Sequence, residues 1–136
     1  MKEKLTDDSR KALVRYRIER AKQTLKEAEY MRDGGYYNAS INRLYYACYY
    51  AASALLISNG IEASSHSGVK TILSLHFVKP GKLSLEHGAT FGNLFDKRHS
   101  SDYDDFAYCD LDTVNFLIPR TEKFVEAIVA LLPEKK

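Results

Sequence analysis

The chain has 136 residues, 45% of them hydrophobic and 28% charged, with a formal net charge of +2. That is the composition of one ordinary globular domain with a real core, and the charge is too small to argue for nucleic-acid binding by itself. No apolar run reaches the roughly 20 residues that cross a bilayer, and the polar, charged N-terminus carries no signal-peptide pattern, so a cytoplasmic protein without a membrane role is expected.

Taken in chain order, the first helix is expected from Asp8 or Ser9 to Arg32, with one of those two residues as its cap. Val14, Ile18, Ala21, Leu25 and Ala28 recur at spacings of four and three and mark its inner stripe. Gly34 and Gly35 then reverse the chain. A second helix follows from about Tyr36 to Ser58, with Asn59-Gly60 as a left-handed stop. A shorter helix should open near Ser65 to Ser67 and run to about Phe77, where Lys79-Pro80-Gly81 ends it. The next is expected over Ser84 to Ser101, with Leu85, Ala89, Phe91, Leu94 and Phe95 facing inward.

Asp102 to Asp110 reads as a turn. The last helix is capped by Asp110 or Asp112 and presents Val114, Leu117, Ile118, Thr121, Phe124, Val125, Ile128 and Leu131. Pro119 inside it should kink or delay it. No strand-like alternation competes. The expected architecture is all-α, a single domain over 1–136 with loose ends at 1–8 and 133–136, built as an up-and-down bundle of four main helices plus a short one.

The second helix is the most informative. Six of the ten tyrosines fall between Tyr36 and Ala52, together with a lone Arg43. At 3.6 residues per turn, Tyr37, Ile41, Leu44, Cys48, Ala51 and Leu55 form a core stripe. Tyr36, Ala39, Arg43, Tyr46, Ala47 and Tyr50 form a second stripe, aromatic with one permanent cation, where a solvated helix would carry Lys and Glu. Such a face suggests a partner surface or a cleft. Its tyrosines suit core and dimer packing, or base stacking as in single-strand binders.

Charge is unevenly spread. The first helix carries Lys11, Arg15, Arg17, Arg20, Lys22 and Lys26, whereas the segment with Asp102, Asp104, Asp105, Asp110 and Asp112 is acidic. A solvated basic face is the plainest reading; a phosphate site and pairing between two copies are the alternatives. Cys48 and Cys109 show no metal-ligand spacing and are expected as reduced thiols. His66 reads as a cap or turn residue, and His76 and His87 lack partners at ligand spacing. No metal or cofactor is expected, and no P-loop or nucleophile–base pair is recognisable.

Arg98 follows Phe91, Leu94 and Phe95 by seven, four and three residues, which puts it on the inward stripe. An inward cation needs a partner. Asp102 is nearest by spacing, but the Arg-then-Asp order is the weaker helical orientation, so Arg98 and Arg43 are expected to meet carboxylates and phenols across helices or across a dimer.

Asn42-Arg43-Leu44-Tyr45-Tyr46-Ala47, Ser65-His66-Ser67-Gly68-Val69 and the stretch from Leu94 through Arg98-His99 to Asp102-Tyr103, in that order, resemble the HEPN domains (higher eukaryote and prokaryote nucleotide-binding). The likeness covers nearly the whole chain and is greatest to small stand-alone prokaryotic members, often encoded beside a minimal nucleotidyltransferase. It implies a homodimer, a toxin–antitoxin or nucleotidyltransferase-linked setting, and a nucleotide or RNA ligand.

Many members are metal-independent ribonucleases with an arginine followed four to six residues later by a histidine. Arg98 matches that arginine; Asp102, Tyr103 and Asp104 stand where the histidine should be, and His99 is turned about 100° away. Three functions stay open. The first is a dimerising interaction module using Asn42, Arg43, Tyr46, Tyr50 and His99 as its cleft. The second is a ribonuclease toxin with a divergent Arg98/Asp102/Tyr103 site, and the third is a purely structural homodimer. A polar lock of Arg98, Asp102 and Tyr103 is the structural alternative to catalysis.

Overall fold

The computed structural model describes residues 5–103 and 109–133, except for the side chains of 99–103. Five α-helices follow one another: α1 Asp7–Asp33, α2 Tyr37–Ser58, α3 His66–Leu73, α4 Leu85–Tyr103 and α5 Leu111–Ala130. A π-helical turn, Ser74–Val78, continues α3. There is no strand among the described residues. No helix among them is long and apolar enough to cross a membrane.

The ends of these helices are set by short polar side chains. Thr6, not Asp8 or Ser9, caps α1: its Oγ1 accepts from the Ser9 amide at 3.1 Å. Asp7 and Asp8 instead occupy the first turn, where carboxylates face the positive end of the helix dipole. Ser65 caps α3 by accepting from the Gly68 amide at 3.0 Å. Asp110 caps α5 through the Thr113 amide at 2.9 Å. Gly35 and Gly60 take the positive φ angles, +83° and +70°, that turn the chain out of α1 and α2.

α2 is the central element and packs against α1, α3, α4 and α5. Its most extensive partner is α1, because small residues let the two backbones approach. Ala21 and Ala28 on α1 and Ala47, Ala51 and Ala54 on α2 are fully buried. The buried Ser40 hydroxyl donates to the Ala28 carbonyl at 2.7 Å, so no polar group is stranded at this contact. Phe91 of α4 and Phe124 of α5 meet at 5.9 Å and close the core on the far side.

Most expected inner stripes are buried, with three corrections. Leu85 is 81% exposed and Ala89 is exposed as well. Gly88 brings the α4 backbone against Val78, where an added Cβ would lie 3.1 Å from a valine methyl, so the first turn needs no leucine anchor. Leu131 is exposed and Leu132 takes the inner place, because α5 ends at Ala130 and the helical rhythm stops there. Pro119 does not delay α5, which begins eight residues earlier at Leu111.

Candidate functional site

Successive residues of α2 turn by 100°, so Tyr45, Tyr46, Tyr49 and Tyr50 fan from the core toward the surface between α1, α3 and α4. Tyr45 is the innermost and is fully buried. Its ring meets Phe91 at 5.8 Å and Phe95 at 6.1 Å edge-on. A buried phenol needs a polar partner, and the Tyr45 hydroxyl finds His66 Nδ1 at 2.7 Å. Burial pushes the Tyr45 phenol well above its ordinary range, against a smaller opposing pull from Arg98, so it stays neutral.

His66 is therefore more than a turn residue. Ser65 does the capping, and His66, the first residue of α3, folds back onto α2. Its imidazole stacks on the Tyr49 ring at 4.2 Å, with 12° between the planes. It also stands edge-on to Tyr46 at 5.9 Å.

Arg98 enters the same cluster from α4. Its Nη2 donates to the Tyr46 hydroxyl at 3.0 Å. The guanidinium carbon lies 5.6 Å from the Tyr45 ring centre and 5.3 Å from that of Tyr46. The expectation that Arg98 meets a phenol across helices holds. Arg43 lies near Tyr46 as well, 5.4 Å from its ring centre. It donates to Asn42 Oδ1 at 2.9 Å and pairs with Glu27 of α1 at 3.4 Å. Arg17 and Arg20 of α1 lie 5.9 and 5.3 Å from the Tyr50 ring centre.

The structure thus gathers Asn42, Arg43, Tyr46 and Tyr50 of the expected cleft on one face and brings Arg98, read from the sequence with Asp102 and Tyr103, onto Tyr46. His99, Asp102 and Tyr103 lie near the end of α4, but their side chains fall outside the described residues, as does any Arg98–Asp102 pair. Of the second stripe, Tyr36 and Ala39 are exposed and Ala47 is buried. Tyr45 and Tyr49, read from the sequence as packing or stacking residues, His66, read as a cap or turn residue, and Arg17 and Arg20, read as part of a basic face, join the cluster. Arg17 and Arg20, three apart on α1, carry a signal in hindsight, since they flank the inner stripe.

Chemically, this face offers permanent cations over electron-rich rings, which suits an anion carrying an aromatic or apolar group. Among the described residues no group of three or more His, Cys, Asp or Glu could hold a metal ion.

Comparison with known proteins agrees with this architecture. The HEPN domain family matches residues 14–133. A Thermotoga maritima protein named "UPF0332 protein" is 31% identical over 129 residues, which is 95% of this chain and 98% of that relative. A Methanocaldococcus jannaschii protein named "putative toxin" is 28% identical over 134 residues, 98% of each chain. A second protein of that organism, also named "putative toxin", is 30% identical over 87 residues, 64% of this chain and 59% of its own length. With the family match and the Thermotoga relative both running nearly end to end, the chain belongs to the HEPN domain family.

Proposed function

We propose that this protein is the homodimerising HEPN module of a toxin–antitoxin or nucleotidyltransferase-linked system, which engages a protein partner and takes a nucleotide or RNA at its arginine–tyrosine face. The observation that carries the reading is the face itself. Tyr46 and Tyr50 remain half-buried, and Arg17, Arg20, Arg43 and Arg98 stand over their rings. Glu27 pairs with Arg43 at 3.4 Å. Half-buried aromatic and arginine side chains are the residues enriched at the centres of protein interfaces. The relatives named "putative toxin" support the toxin–antitoxin setting.

Sedimentation across a dilution series tests the interface. Tyr46→Ala is expected to shift the dimer toward monomer; a variant as dimeric as the native chain at low concentration rules this face out as the interface.

One observation favours a second reading, the metal-independent ribonuclease. His66, from a separate helix, joins the cluster that holds Arg98, so an imidazole and a guanidinium share the Tyr45–Tyr46 pair. Such a pair suits proton transfer at a ribose 2′-OH with the cation on the phosphate. RNA integrity in cells expressing the native chain, Arg98→Ala or His66→Ala at matched soluble levels separates the two. Decay that disappears in both variants supports the ribonuclease. Intact RNA with all three leaves the interaction module or, without any ligand, the structural homodimer.

A further inference from the structure

Next to this face, a cleft of about 720 Å³ opens between the N-terminal half of α1, the C-terminal half of α2 and the 59–65 loop. Its size is that of a ligand or peptide site. One wall carries Arg10 and Arg17; the floor is aliphatic, with Leu56, Ile57, Ile61 and Val69; Tyr49 joins it to the cluster described above. Glu62 is the sole carboxylate among the described lining residues.

We propose that the cleft is a docking groove for an acidic, apolar-sided peptide segment of a protein partner. The inference rests on the partner-binding reading above and adds where the partner sits and what chemistry it presents.

Three observations support a peptide. Arg10 and Arg17 are seven residues apart on one helix, so they stand roughly 10 Å from each other. That spacing matches two carboxylates along a linear chain rather than one small anionic head. The aliphatic floor suits leucine- or isoleucine-like side chains, whereas single-stranded RNA needs aromatic platforms, and Tyr49 is the only one among the described lining residues. Both cations have capacity to spare. Arg17 Nε is buried without a hydrogen-bond partner among the described residues. Arg10 pairs with Asp7 at 3.2 Å, but that carboxylate is 89% exposed, and an exposed pair of this kind is readily exchanged.

The test is selection of a displayed library of random ten-residue peptides on the native dimer, on Arg10→Gln and on Ser53→Glu, which puts an anion into the cleft while leaving both arginines. Helicity and sedimentation are checked for each variant. The expected result is enrichment of peptides with two acidic residues flanking apolar ones, at least tenfold weaker on both variants while their dimers persist. No enrichment, enrichment without acidic residues, or equal enrichment on the variants overturns the groove. So does a labelled ten-nucleotide single-stranded RNA that binds the native chain and is lost on Arg10→Gln, since the cleft would then be a nucleic-acid site. A native dimer that selects no peptide defeats this inference alone; a chain that never dimerises defeats the broader reading.

Discussion

At the scale of single residues, the Tyr45–His66 contact decides the most. A phenol with no solvent exposure would lose free energy without a partner, and the imidazole satisfies it at 2.7 Å. Tyr45→Phe should lower stability by about 1 kcal/mol, read as a shift in urea midpoint, because His66 Nδ1 loses its partner. An unshifted midpoint would mean that the bond adds nothing net.

Burial also raises the Tyr45 phenol and the Cys48 thiol, both of which the unfolded chain would release at ordinary values. Raised folded values stabilise below the unfolded ones and lose that contribution as pH climbs. The urea midpoint should therefore fall above about pH 9, and less steeply in Tyr45→Phe. A midpoint level through pH 10.5 would contradict both assignments. Here the sequence was only half legible. Arg98 announced itself as a cation on an apolar stripe. Tyr45 did not, because neighbours Tyr45 and Tyr46 look alike in a row of letters and differ only by 100° of rotation against α3 and α4.

At the scale of elements, hydrophobic periodicity located every helix, while the ends depended on which oxygen reaches an amide. Asp110 was legible as the α5 cap, and the Thr113 amide holds its carboxyl below the ordinary range. α5 should accordingly fray first at its N-terminus as pH falls through that lowered value. The α4 first turn misled because Leu85 fits the helical stripe, yet contact with the preceding turn is made by the backbone at Gly88. Periodicity reports which residues share a face, not how far the neighbouring element extends.

Ser65 illustrates the link from cap to site. Its hydroxyl fixes the start of α3 and so the placement of His66 on Tyr49. Ser65→Ala should cost about 1 kcal/mol and broaden the His66 ring resonances as the first turn loosens. An unchanged histidine spectrum would show that stacking on Tyr49 alone holds the ring.

At the scale of the whole molecule, α1 and α2 form a hairpin closed by alanines, with α5 packed on both helices; of those two helices α3 and α4 touch α2 only, and α4 also packs on α5. The side of the hairpin between α3 and α4 therefore presents the tyrosines and their arginines with no further helix of the described chain over them. If a second copy covers that face, folding and association are linked, and thermal stability must depend on protein concentration. The melting temperature of the native chain should rise by a few degrees over a hundredfold increase in concentration. Tyr46→Ala should melt lower and show a flatter dependence, since its loss also releases Arg98 from the phenol. High salt distinguishes the nature of the contact. Arginines stacked on rings in a closed interface are screened weakly, so the dependence should persist at 0.5 M salt, whereas an interface made by surface ion pairs should lose it. A native melting temperature indifferent to concentration would mean the face is not covered by a second copy, and the arginine–tyrosine surface would then be exposed to the partner or nucleic acid in the monomer.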